Sequence, residues 1–172
     1  MTVLAPNSTP GSTTNAAPAR RRKFVAVVDD SPESRIAARF AAGRAAHMAG
    51  GGLVLFHVIA PVNFQHWMAV GDAMREEAMA DASDMMEQRA EEIRAYSGIE
   101  PEIVIREGKP KEALRGYIEA STDLFALILG AGTDGDPGPL VEYFSGPLAG
   151  SLQCPVVIVP GSLTAEEIDA MV

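Results

Sequence analysis

The sequence predicts an α/β fold: an open five-stranded parallel sheet with helices on both faces. Three observations carry that reading. Five short apolar runs, at 23–29, 53–60, 101–108, 124–130 and 155–160, alternate with segments of helical period, the rhythm of βαβ units. Most of the runs are continuously apolar and β-branched rather than alternating, as strands covered on both faces are. Glycines and prolines punctuate the boundaries between them.

Residues 1–21 are rich in Ser, Thr, Ala, Asn and Pro, carry no acidic group and show no hydrophobic period, so a disordered tail is expected. "KFVAVVD" (23–29) is the first buried strand. Ser31 then stands as N-cap, Pro32 at the first helical position and Glu33 in the first turn, opening a helix. Ile36, Phe40, Gly43 and His47 recur on one side of that helix, and Gly50, Gly51 and Gly52 end it. "LVLFHVIA" (53–60) is the second strand.

A loop containing His66 and Trp67 leads to a long helix whose stripe runs through Met74, Ala78, Ala82, Met85, Arg89, Ile93 and Tyr96. The stripe is expected to pack on the sheet, and the loop aromatic to mark either surface packing or a contact with a partner. "PEIVIREG" (101–108) carries charge at both ends, as an edge strand does. "KPKEALRGYIEAS" turns Ala113, Leu114, Tyr117 and Ile118 inward, and "LFALILG" (124–130) is the fourth strand. Pro139 and Pro147 divide the next stretch, leaving a short helix near "PLAGSLQ" before the fifth strand "PVVIVP" (155–160). "TAEEIDAMV" is a short C-terminal helix or tail over 162–172. The folded domain therefore spans 22–161.

Composition bounds the function. With 172 residues, 47% hydrophobic and 22% charged, the chain is one globular domain. No apolar run approaches the roughly 20 residues that span a bilayer, so no membrane role is expected. A net charge of −9 opposes nucleic-acid binding, which depends on Lys and Arg; "RRRK" (20–23) reads as a solvated lead-in. A single cysteine, Cys154, forms no intrachain disulfide. It reads as a small buried hydrophobe, and the cytoplasm is the expected compartment.

Ligands of open α/β sheets bind beyond the carboxyl ends of the strands, where the order reverses. That directs attention to Asp29-Asp30, to the segment from Val58 to Pro61, and to the loop from Gly130 onward. Asp29-Asp30 has two readings, a catalytic or metal-binding carboxylate pair and a cap on the next helix, the latter being commoner. His57, within an apolar strand, reads as a satisfied core histidine.

Together, "VAVVDDSPESRIAARFA", "LVLFHVIAP", "IVIREGKP", "LILGAG" and "CPVVIVPG" resemble the universal stress protein family, over residues 23–161. The resemblance implies strand order 3-2-1-4-5, a homodimer often formed through the last strand, and a role in stress survival and signalling. It also implies binding of ATP, ADP or AMP, with Asp29 at the ribose or adenine, Val58 against adenine, Leu129 and Gly130 opening the phosphate loop, and Val27 also a cofactor-binding residue. Nucleotide-binding members resemble G-x-x-G, nine residues, then G-[S/T] opening a long helix. From Gly130 that register meets Thr133, Tyr143 and Phe144; from Gly132 it meets Gly135, then Ser145 and Gly146 in reversed order.

The loop itself is acidic. From Gly116 to Val172 there is no Lys, Arg or His. Asp134 or Asp136 beside a phosphate would oppose it by about 1 kcal/mol per pair in water, and Pro137, Pro139 and Pro147 offer no N–H. Mg²⁺ bridging carboxylate and phosphate reverses that sign. The alternative is that the loop is a tight connection whose aspartates make side-chain turns. The expectation is a dimeric regulatory module whose adenine-nucleotide binding is weak for ATP or depends on Mg²⁺. No catalytic residue and no resident metal are assigned. A nucleotide hydrolase or nucleotidyl-transfer enzyme, using Asp29, Asp30 and Asp136, is the alternative from the enzyme class; a pure protein-interaction module is the third reading.

Overall fold

The structure is a computed structural model and describes residues 22–61 and 68–172; the tail and the His66–Trp67 loop lie outside the described residues. Strands β1 (Arg22–Val27), β2 (Gly51–Ile59), β3 (Glu102–Glu107), β4 (Leu124–Ala131) and β5 (Val156–Pro160) form one sheet in the order β3-β2-β1-β4-β5. All four pairings are parallel. The expected fold class and strand order are both realised.

Helices α1 (Pro32–His47), α2 (Met68–Ser97), α3 (Pro110–Ala120), α4 (Pro139–Ser145) and α5 (Ala165–Asp169) cover the two faces. Alternation along each strand divides the core. Phe24, Ala26 and Val28 of β1 and its extension join Leu53, Leu55, Ala126 and Ile128 under α1, α2 and α5. Val25, Val54, Phe56, Leu127 and Leu129 face α3 and α4, where Leu114, Ile118, Val141 and Phe144 meet them. Among the described residues no helix is long and apolar enough to cross a membrane.

Two helical stripes differ from expectation. On α1 the fully covered positions are Ala37, Ala38, Ala41, Ala42 and Ala45, with Ile36 and Phe40 half-buried at the margins and His47 exposed. This helix is covered by the sheet on one side and by α2 and α5 on others, so small side chains occupy its inner face and let backbones approach. Gly43 is part of the same close packing, since a Cβ there would meet the Val172 side chain. On α2 the buried residues are Ala82, Met86, Arg89, Ala90 and Ile93, while Met74 is 39% exposed. At 30 residues the helix is about 45 Å long. It outruns a sheet whose longest strand has nine residues, and residues 72–77 near its start are exposed.

The segment after β4 also differs. Pro139 starts α4 instead of breaking the chain, because at the first helical position its missing N–H is one the helix leaves unpaired in any case. "PLAGSLQ" holds only a turn of 3-10 helix at Ala149–Ser151. The N-cap at Ser31 is as expected, its hydroxyl accepting from the Ser34 N–H at 3.3 Å. At the other end of the chain Thr164 and Glu167 form a reciprocal capping box.

Exposed glycines inside helices are the least constrained part of this design. Gly116 of α3 has open space where a Cβ would stand. Gly116→Ala should stabilise the protein by about 0.5–1 kcal/mol, read as a rise in the urea midpoint at unchanged slope.

Candidate functional site

The chain leaves β1 toward β2 on one side and returns to β4 on the other, so the order reverses between β1 and β4. Connections on the two sides of that point diverge and open a crevice. A cleft of about 260 Å³ lies there. Val27, Val28 and Asp29 come to it from the end of β1, His57 and Val58 from β2, and Leu129 and Gly130 from β4. The start of α1 closes one side, and Pro110 with the segment Pro137–Val141 closes the other. Its walls are mainly aliphatic with few polar groups, the usual character of a small-molecule site.

Asp29 is held in place by its own turn. Oδ1 accepts from the Ser31 N–H at 2.9 Å and from the Ser31 hydroxyl at 2.5 Å, which leaves Oδ2 to accept from a ligand. The buried Ser34 hydroxyl donates to the Asp29 carbonyl at 2.8 Å, tying the first turn of α1 to the strand end. The cap of α1 is thus Ser31 and neither aspartate; Asp29 braces that cap through its turn and still lines the cleft. Asp30 is exposed and is not among the cleft residues.

His57 is more than a core histidine. Its Nδ1 lies 2.7 Å from the Val28 carbonyl oxygen. A carbonyl only accepts, so the proton sits on Nδ1, and in the neutral ring Nε2 is the acceptor. The residue lines the cleft beside Val58. The one signal for this in the sequence is its position next to Val58 at the carboxyl end of a strand.

The glycine-rich loop uses two of its donors internally. The Gly138 N–H donates to Asp136 Oδ1 at 2.8 Å, and the Gly132 N–H points to the Pro137 carbonyl at 3.4 Å. Gly135 and Gly138 have φ of +85° and +95°, the conformations that favour glycine in turns. The loop presents its proline segment to the cleft; Gly132, Gly135, Ser145 and Gly146 are not among the lining residues. Ser145 ends α4, its hydroxyl donating to the Val141 carbonyl at 2.6 Å, and Gly146 is the C-cap. That is the carbonyl end of a helix, where the dipole disfavours an anion.

Gly130 is required by packing. A Cβ there would stand 2.4 Å from the Glu33 carbonyl oxygen, and one on Gly161 would stand 2.7 Å from the Glu33 Cβ. The first turn of α1 rests directly on these two glycines. Among the described residues no group of three or more His, Cys, Asp or Glu side chains is gathered as a metal site would be. Cys154 is buried, and burial pushes its thiol up, which suits a core side chain rather than a nucleophile.

Comparison with known proteins agrees with this architecture. The family model described as the Universal stress protein family matches residues 20–160. No curated protein matches the chain. Among solved structures, the universal stress protein UspA from Lactobacillus plantarum is 23% identical, with 82% of this chain and 99% of that chain covered and a TM-score of 0.62. A universal stress protein family protein from Arabidopsis thaliana, solved with AMP bound, is 18% identical over 81% of this chain and 91% of that one, at a TM-score of 0.53. A universal stress protein in complex with cAMP is 18% identical over 83% and 99%, at 0.58. At these identities the likeness concerns the fold.

Proposed function

The chain belongs to the universal stress protein family, and on that premise we propose that it is a dimeric regulatory module of the stress response whose cleft binds a monophosphorylated adenine nucleotide. The observation that carries the reading is the aliphatic cleft at the β1/β4 switch point, with a free Asp29 oxygen at its edge. Val27, Val58 and Leu129 offer apolar surface for a base, and Asp29 an acceptor for a ribose hydroxyl. The AMP and cAMP complexes of similar folds support a ligand of this size. A triphosphate fits less well, since two loop N–H groups are already engaged and the loop carries Asp134 and Asp136 with no Lys or Arg beside them in sequence. Mg²⁺ offsets part of that repulsion when it accompanies ATP. The functional domain is 22–161, and the cytoplasm is the compartment proposed for it.

Calorimetry tests this on the full chain. AMP should bind more tightly than metal-free ATP, and Mg²⁺ should narrow the difference. Metal-free ATP binding as tightly as AMP would overturn the ligand assignment. Asp29→Asn keeps an oxygen for the Ser31 turn but replaces the other acceptor with a donor, so AMP affinity should fall about tenfold, the equivalent of one charged hydrogen bond.

Support for the dimer comes from β5. Among the described residues this edge strand has an unpaired side, and its Ile158 is 40% exposed; an open apolar edge is a template for pairing with a second copy. Ile158→Asp should convert the dimer to a monomer in sedimentation experiments. A dimer that survives the change would place the interface elsewhere.

A further inference from the structure

A second cavity, of about 190 Å³, lies outside the cleft, between α1, α2 and the start of α5. Arg35 and Arg39, one turn apart on α1, meet Arg89 of α2 there, with Glu92 and Tyr96 along the same helix. Three guanidinium groups at one small cavity are unexpected in a chain of net charge −9 with only 14 Lys and Arg.

Their partners are unequal. Arg39 is paired: it holds Asp169 of α5 through two hydrogen bonds of 2.7 Å and lies 3.8 Å over the Tyr96 ring. Arg89 is only 3% exposed, yet its one acceptor among the described residues is Glu92, at 2.6 Å from Nη1. Its Nε is buried and has no partner among the described residues. A guanidinium carries five donors in a planar fork, and leaving even one of them buried without an acceptor is costly. Arg35 is exposed at the same cavity and makes no ion pair among the described residues. Planar forks of this kind match tetrahedral oxyanions, which accept from several N–H groups at once.

We propose that the cavity between α1, α2 and α5 is a binding site for a small phosphate-class oxyanion, held by Arg89 from below and by Arg35 at the mouth. Arg39, committed to Asp169 and Tyr96, fixes the walls rather than gripping the ion. The ligand is inorganic phosphate or the phosphate of a small phosphomonoester. The site is separate from the cleft, which contains neither Arg35 nor Arg89.

Titrating the full chain with inorganic phosphate, at ionic strength held constant with chloride, tests this by calorimetry. Wild type should show saturable binding. Arg35→Ala, a surface change that leaves the core intact, should weaken it at least threefold. Arg89→Met, which fills the same space without charge, should weaken it at least tenfold. AMP affinity should stay the same in Arg35→Ala, which separates this site from the cleft. An absence of saturable phosphate binding in wild type, or an unchanged phosphate affinity in Arg35→Ala, overturns the proposal whatever Arg89→Met does. Comparing glycerol phosphate with inorganic phosphate then distinguishes an ester ligand, bound more tightly, from the free ion.

Discussion

Gly130→Ala should destabilise the ligand-free protein by about 1–3 kcal/mol, the usual cost of forcing extra atoms into a close-packed contact. The added Cβ would stand 2.4 Å from the Glu33 carbonyl oxygen and 2.6 Å from the Glu33 carbonyl carbon. Both are backbone atoms at the start of α1, so relief requires moving the helix. That helix is pinned by the Ser31 cap and by the Ser34 bond to Asp29. Displacing it also moves Asp29, so AMP affinity should fall together with stability. Chemical denaturation without ligand is the decisive measurement. If Gly130 mattered only to a phosphate, the ligand-free variant would unfold at the wild-type midpoint, and the packing account would fail.

Phe144→Ala should cost about 3–5 kcal/mol, the range for deleting a buried aromatic ring. Phe144 is fully buried in the core on the α3/α4 side of the sheet, where α4 packs on β4 and β5, and touches Tyr143 edge-on, with centroids 5.1 Å apart. Helix α4 has only seven residues, far below the length that is stable alone in water. Its docking rests on Val141 and Phe144, and the same helix brings Leu140 and Val141 to the cleft. The variant should therefore lose AMP affinity and exchange its α4 amides faster. A stability loss well under 2 kcal/mol with α4 exchange unchanged would show that the helix is held by something other than this ring.

The strands and their need for cover on both faces were legible in the sequence because they depend on local chemistry. An uninterrupted run such as "LVLFHVIA" needs cover on both faces wherever it sits. The Ser31–Pro32–Glu33 start reports a helix N-terminus through groups within one turn of each other. Asp29, Val58 and Leu129 reach a common cleft for the same kind of reason: strand ends adjacent in a parallel sheet share a rim. His57 was readable only in part, because its hydrogen bond runs to Val28, 29 residues away. Arg89 was readable as a break in an apolar stripe, but not as a buried guanidinium facing two more on α1.

By itself, then, the sequence determined the five strands and the helices other than α4, the parallel sheet, and the corner at which its carboxyl ends open. Tertiary structure decided which face of α1 is buried, why Gly130 is glycine, and where the acidic loop spends its N–H groups. The difference is one of range. Capping and burial preference act between neighbours along the chain and leave a readable pattern. Close approach does not: a glycine reads the same whether it serves a positive φ, a ligand or a helix pressed against it. Only the position of the Glu33 backbone against β4 separates those uses.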